Sequence, residues 1–383
     1  MEPVDSFART RLRVLFVGAF PPLGSHIIGG QATACQTLME SSFSQEFEFS
    51  LIDSTQISNP PPGLLLRSIF ASKRLLKYLH GLLFERPDAV LLCAPVGAGL
   101  LEKGLMARVA KWFSIPSILF PHGAGTLETY RRSPMHRLWI AWVFRGSSVN
   151  CCQGIAWQQF FVSELKLPLS KSPMIGSWAA TPDLIALGAA RARRNPQEPT
   201  RLLFLGWLER EKGVFDLLEA CLTIKSRAPF KLTFAGGGRA EVEAKTFVES
   251  NGLSPLINFA GWVRGDVLHQ YLRDSDVLVL PSWAEGFPMA VVEAMAAGLA
   301  VVTTSVGVIP DVLTNGRDAL IVPPHDPKQL SRAIERIISD AELRHSLQVA
   351  GYHFACDNFT PEPAAVRLST VIRKAVGEHR ADD

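Results

Sequence analysis

The chain uses one pattern twice: a short uninterrupted apolar run, a glycine-rich break, then a helical stretch. Apolar runs without polar alternation suit strands buried on both faces, the condition of a parallel sheet covered by helices. The first set spans Leu12 to Ala19, Phe49 to Ile52, Ala89 to Leu92 and Ser117 to Phe120. A proline-rich stretch from Leu167 to Thr200, carrying the basic cluster Arg191 to Arg194, reads as an interdomain connection. The pattern then restarts at Arg201 to Leu205 and Lys231 to Ala235, near Ile257, and at Val277 to Leu280, Ala300 to Thr303 and Leu320 to Val322. The expected fold is α/β, with two doubly wound, Rossmann-like parallel-sheet domains facing each other across a cleft. The boundaries expected are 1–180, 200–358 and a tail, 360–383. No internal repeat is visible, so the halves share architecture only.

Ligands of open parallel sheets bind beyond the carboxyl ends of the strands. The informative residues fall there: Gly29-Gly30, His122-Gly123, Gly206 to Lys212, Gly236 to Gly238, and Glu285 onward. Glu285-Gly286-Phe287-Pro288 leads from a buried strand into a helix carrying Glu293. Pro288 lacks an amide proton and suits the first helical turn, which leaves the N–H groups of Met289, Ala290 and Val291 for an anion. A diphosphate would sit well there, with Glu285 and Glu293 reaching hydroxyls on either side, as a nucleotide sugar requires. Two glutamates on a solvated helix face are the plainer alternative. The loop after the first strand is too long and too rich in proline for the GxGxxG fingerprint, which argues against a nicotinamide oxidoreductase. Asp274-Ser275-Asp276 resembles a metal-holding DxD motif but precedes its strand, at the edge away from the cleft, so no metal ligands are assigned.

The formal charge of +3 gives no case for nucleic acid as a partner. It is unevenly spread, with 17 Lys and Arg against 11 Asp and Glu in the first 180 residues. Arg67 to Phe84 and Tyr130 to Phe144 interleave basic and apolar residues, so a peripheral contact with an anionic membrane is expected of them. No segment reads as a signal peptide or a spanning helix, and the six cysteines show neither CxxC nor zinc-type spacing. The location expected is the cytoplasm, at the inner face of the membrane.

FLGWLEREKG, FAGGG, the Val263 to Tyr271 segment, DVLVLPSWAEGFPMAVVEAMAAGLAVVTTSVG and NGRDALIVPPHDPKQL follow one another in order. Over residues 200–345 this series strongly resembles retaining glycosyltransferase family 4, of GT-B fold. VGAFPP with GGQAT, and PHG at Pro121 to Gly123, extend the likeness more weakly into the first half. The resemblance implies hexose transfer from a nucleotide diphosphate sugar to a glycan or lipid-linked acceptor in cell-surface polysaccharide synthesis, with no cofactor besides the donor.

By position it implies that Glu285 faces the donor sugar, Glu293 the ribose and Lys212 the diphosphate. Gly29, Gly30, Gly286, Phe287, Pro288, Met289 and Ala290 would surround the donor, Val263 would lie by the base, and His122 would stand at the reaction centre. It also implies that the tail crosses back onto the first domain. One departure stands out: the family's arginine in Gly-Arg-Leu is Trp207 here, which removes a bidentate phosphate contact; Arg210, three residues on, either reaches the same phosphate or is a solvated loop arginine. A GT-B epimerase, or a nucleotide-sugar binder of weak activity, are the competing readings.

Overall fold

The computed structural model describes residues 11–21, 30–55, 62–122, 125–193, 195 and 197–382. Eleven strands are present among them: β1 Arg13–Gly18, β2 Glu48–Asp53, β3 Ala89–Ala94, β4 Ser117–Pro121, β5 Val149–Asn150, β6 Thr200–Leu205, β7 Phe230–Ala235, β8 Ile257–Gly261, β9 Val277–Leu280, β10 Ala300–Thr304 and β11 Leu320–Val322. They form two sheets, in the orders β2-β1-β3-β4-β5 and β11-β10-β9-β6-β7-β8. Every pairing is parallel. The central strands β3, β4, β9 and β10 are buried along their whole length, as their unbroken apolar runs require. β5 is only two residues long, so no apolar run announces it; its pairing of Val149 with Ile118 and Asn150 with Leu119 defines it.

The strand order places the functional loops. In the second sheet the chain steps outward from β6 through β7 to β8, then returns to the other flank of β6 as β9. The loops leaving β6 and β9 therefore diverge at a reversal of strand order, where open α/β sheets hold ligands. Here they are laced together. The Trp283 N–H donates to the Glu211 carbonyl at 2.8 Å, and the Trp283 indole N–H donates to Asp216 at 2.7 Å. Gly213, at φ +69°, lies so close to the β9 loop that a Cβ would stand 2.0 Å from the Pro281 carbonyl oxygen.

The segment between the sheets carries structure of its own. It contains a helix, Pro182–Ala189, capped by Thr181, whose hydroxyl accepts the Leu184 N–H. Arg191 is a structural pin: its guanidinium donates to the carbonyls of Leu272, Ser275 and Ala297 at 2.6, 2.8 and 2.9 Å. These oxygens lie at the ends of the helices Gly265–Asp274 and Met289–Ala296, where orphan carbonyls need donors. Trp178 turns the other way, stacking on Phe120 at 5.2 Å and donating its indole N–H to the Ala34 carbonyl at 2.8 Å.

The last helix, Pro361–Asp382, lies on the first lobe. It buries Ala364, Leu368 and Ile372 and pairs Arg373 with Glu46 and Arg380 with Asp88, each at 2.6 Å. Exposed pairs of this kind contribute about 0–1 kcal/mol, so the buried apolar side chains hold most of the contact.

Gly213→Ala should lower stability by roughly 2 kcal/mol or more in chemical denaturation, because it adds a backbone clash to a left-handed conformation. Gly316→Ala is the control. Gly316 shares the positive φ, +79°, but a Cβ there meets nothing within 4 Å. Equal losses in the two variants would show that the packing of Gly213 against Pro281 does not matter.

Candidate active site

Lys212 and Glu285 meet at the laced loops, with Nζ 2.6 Å from Oε1. The Ser282 hydroxyl donates to the same oxygen at 2.6 Å. Both donors converge on Oε1, and among the described residues Oε2 accepts no hydrogen bond. The pair is mostly shielded, with side-chain exposures of 27% and 9%. Gly307 fixes the Glu285 backbone from behind: its φ is +59°, and a Cβ there would stand 2.2 Å from the Glu285 carbonyl oxygen.

Two cavities flank the segment from Glu285 to Glu293. One, of about 550 Å³, lies between the lobes; Glu285, Trp283 and Gly307 line it from the second lobe, and Leu127, Arg131 and Phe160 from the first. The other, of about 830 Å³, is lined by Glu293, Met289, Ala290, Trp207, Trp262 and Val263, with Gly30 across from them. The two carboxylates thus serve different cavities, joined by the start of one helix. At that start the first expectation needs correction. Pro288 sits just outside the helix Met289–Ala296 rather than in its first turn, and the Val291 N–H is already bonded to the Pro288 carbonyl at 3.0 Å. The amides of Met289 and Ala290 remain, at the positive end of the helix dipole.

Glu293 is buried, and among the described residues its carboxyl has no ion pair or hydrogen bond. Burial alone pushes its carboxyl up to about 7. Trp207 and Trp262 meet edge to face, centroids 4.6 Å apart, on the wall of the same cavity. Trp262 was not singled out from the sequence, since an aromatic in a strand-to-helix turn carries no chemical signature there.

The remaining expected site residues divide. Gly30 opens the helix Gly30–Glu40 and faces the other lobe; a Cβ on it would be 3.3 Å from Met289 Cγ. Gly29 lies outside the described residues. Gly286 joins Glu285 in packing on Gly307. Phe287 turns inward, 8% exposed and 5.2 Å from the Phe359 ring, so its side chain serves the core. Arg210 is directed away: it pairs with Glu243, lies over Phe215 at 4.5 Å and lines neither cavity.

His122 lines neither cavity among the described residues. It is packed edge-on against Phe120 and Trp178, with Nδ1 3.3 Å from the Gln153 side-chain nitrogen. Its Nε2 and the Gln153 Oε1 are buried without partners among the described residues. Burial lowers the imidazole to about 3, so it is neutral at ordinary pH and acts through hydrogen bonds rather than charge. Asp276 of the DxD-like sequence accepts the Arg201 N–H at 2.8 Å, at the amino edge of the sheet. Among the described residues no cluster of His, Cys, Asp or Glu is arranged to hold a metal ion.

Residues 189–354 match the family model of glycosyl transferases group 1. An uncharacterized glycosyltransferase of Methanocaldococcus jannaschii is 33% identical over 143 residues, 37% of this chain and 37% of the relative. The D-inositol 3-phosphate glycosyltransferase of Paenarthrobacter aurescens is 29% identical over 151 residues, 38% of this chain and 37% of the relative. The chain thus spans little more than a third of either relative. WcaL of Salmonella typhimurium, provisionally named a glycosyltransferase of colanic acid biosynthesis, is 28% identical over 301 residues, 72% of this chain and 74% of that one. Among solved structures, sucrose-phosphate synthase from Thermosynechococcus elongatus superposes with a TM-score of 0.77 at 17% identity, covering 95% of this chain and 99% of the other. HepE of Anabaena, solved with UDP and glucose, superposes with a TM-score of 0.68 at 17% identity, covering 94% and 98%. The chain has the GT-B fold, and its second lobe is a domain of the glycosyl transferases group 1 family.

Proposed function

We propose that the protein transfers a hexose from a nucleotide diphosphate sugar to a glycan or lipid-linked acceptor at the cytoplasmic face of a membrane, in cell-surface polysaccharide synthesis, with retention and without a metal ion. The observation that carries this reading is the segment Glu285 to Glu293: one carboxylate on each of two cavities, two helix-terminal amides between them without a partner among the described residues, and Lys212 at the first carboxylate. The nucleoside would occupy the larger cavity, its ribose hydroxyls donating to Glu293 and its base lying near Val263 and the two tryptophans. The diphosphate would take the amides of Met289 and Ala290 and the Lys212 ammonium. The sugar and acceptor would meet in the smaller cavity beside Glu285.

The reaction breaks the bond between the anomeric carbon and the diphosphate oxygen, through an oxocarbenium-like transition state. Negative charge builds on the leaving phosphate, and Lys212 with the two amides offsets it electrostatically. The acceptor oxygen attacks from the face the phosphate leaves, and its proton passes to a phosphate oxygen. Glu285 orients a sugar hydroxyl through Oε2, while Oε1 stays with Lys212 and Ser282. The relatives named as glycosyltransferases and the nucleotide seen in HepE support this reading. Trp207, with Arg210 turned away, favours a second one, a nucleotide-sugar binder that does not transfer. Release of nucleoside diphosphate on adding acceptor separates the two.

A panel of nucleotide diphosphates and their sugars should contain one that raises the melting temperature. With that donor, Lys212→Ala should lower kcat roughly 100-fold or more, the loss typical of removing one transition-state charge partner. Glu285→Ala should mainly cut turnover, and Glu293→Ala should mainly weaken donor binding. Unchanged kinetics in all three would remove the donor site from this cleft. Chelator should leave activity intact; loss of activity restored by magnesium would refute metal independence.

Glu293 also makes a pH prediction. Its folded value lies above its ordinary one, so the folded state holds the proton more tightly, and this residue's share of stability is present at low pH and lost as pH rises toward 7. A carboxylate accepts from two hydroxyls better than a protonated acid does. Calorimetric titration with the intact sugar nucleotide should therefore show binding tightening as pH rises through about 7. Glu293→Gln should flatten that rise; an unchanged pH profile in this variant would show that another group is responsible.

A further inference from the structure

The first lobe turns large apolar side chains outward from helices that pack on one side of its sheet. Its helices Leu64–His80, Ala98–Trp112 and Pro134–Gly146 contribute Tyr78, Met106, Ile140 and Phe144 to one core cluster, on one side of the sheet. They are tied to each other: Arg74 forks onto Glu102 at 2.8 and 2.9 Å, and Arg108 donates to the Trp142 carbonyl at 2.7 Å while lying 4.3 Å from the Trp142 ring centroid. On the outer side Leu65, Leu76, Phe84, Trp112, Met135 and Leu138 are 66–81% exposed. Tyr78 is the only described side chain of Leu64–His80 that is buried. Single exposed apolar residues are ordinary, but a patch shared by three helices marks an interaction surface.

Charge identifies the partner. The three helices carry nine Lys and Arg and a single acidic residue, Glu102. Arg67, Lys73, Lys77, Lys111 and Arg137 are exposed among the apolar side chains. We propose that this face docks on an anionic lipid bilayer, with the cations at the headgroups and the outward leucines, Phe84 and Trp112 at the interface. A second copy is disfavoured, since pairing the face with itself would set like charges against each other. The surface is wider than the two basic segments seen in the sequence, because Trp112 and Lys111 come from a third helix, Ala98–Trp112, outside them.

Docking would also aim the site. The helix Gly125–Arg132, which precedes Pro134–Gly146, supplies Leu127 and Arg131 to the cavity at Glu285, so a lipid-linked acceptor would enter from the bilayer side. That consequence rests on the transfer reading; the docking itself does not.

The test is flotation of the full chain with vesicles of phosphatidylcholine alone and of phosphatidylcholine with phosphatidylglycerol, without sugar nucleotide. The protein should float with the anionic vesicles only. Lys73→Ala with Lys77→Ala should weaken that binding roughly 30-fold, at about 1 kcal/mol per basic residue. Trp112→Ser should weaken it further, and all these variants should keep the parent melting temperature, since the side chains are exposed. No flotation, equal flotation with both vesicles, or variants that float like the parent would overturn the proposal. So would a dimer in sedimentation that the same substitutions dissolve. Failure here leaves donor binding and turnover in solution untouched, so it is distinguishable from failure of the transfer reading.

Discussion

The contact between Lys212 and Glu285 joins two loops that the strand order brings side by side but does not itself connect. β6 and β9 are neighbours, and the loops leaving them run apart. Four ties bring them back: the ion pair, the Trp283 N–H on the Glu211 carbonyl, the Trp283 indole N–H on Asp216, and Gly213 against Pro281. A single neutral hydrogen bond contributes about 1 kcal/mol, whereas breaking a shielded ion pair leaves a charge without its partner and costs more. The pair therefore governs the arrangement. Because it engages Oε1 together with Ser282, it also leaves Oε2 as the oxygen without a hydrogen bond among the described residues. Position and chemistry at this residue have the same cause.

The lobes meet along contacts that only small residues permit. Gly30 comes against Met289, and Gly154 against Val308, where a Cβ would stand 2.3 Å from a valine methyl. The last helix belongs to the second lobe by sequence and to the first by packing, and the Ala180 N–H donates to the Phe359 carbonyl where the two crossings pass. Two chain passages therefore link the lobes at one end of the cleft. Rotation about them would change the approach of Gly30 to Met289, at the start of the helix Met289–Ala296.

The strands were legible because each is apolar from end to end, and the sheet demands that wherever helices cover both faces. Val277–Leu280 and Leu320–Val322 match their expected bounds, and the others shift by a residue or two. β5 left no trace, since two residues cannot show periodicity. Glu285, Glu293 and Lys212 were legible from strand-end position and family resemblance, which fix where a side chain starts. Where it points is set by neighbours distant in sequence. Phe287 goes to Phe359, and Arg210 goes to Glu243 and Phe215. The cluster at Arg191 read as a linker because nothing local shows that three carbonyls from two other helices converge on its guanidinium.

The two glutamates of one short segment show how environment divides a shared chemistry. Glu285 has an ammonium and a hydroxyl within 2.6 Å, so its charge is met before any ligand arrives. Glu293 has neither, and the protein carries the desolvation cost of keeping it on the cavity wall. An apolar side chain at position 293 would pack at less expense. On the first lobe His122 Nε2 and Gln153 Oε1 are buried without partners among the described residues, which is scarce in folded proteins. A ligand rich in hydroxyls would satisfy the carboxyl of Glu293 on arrival. On the proposed reading, a sugar nucleotide would gain affinity from a desolvation cost that the unliganded fold already carries at Glu293.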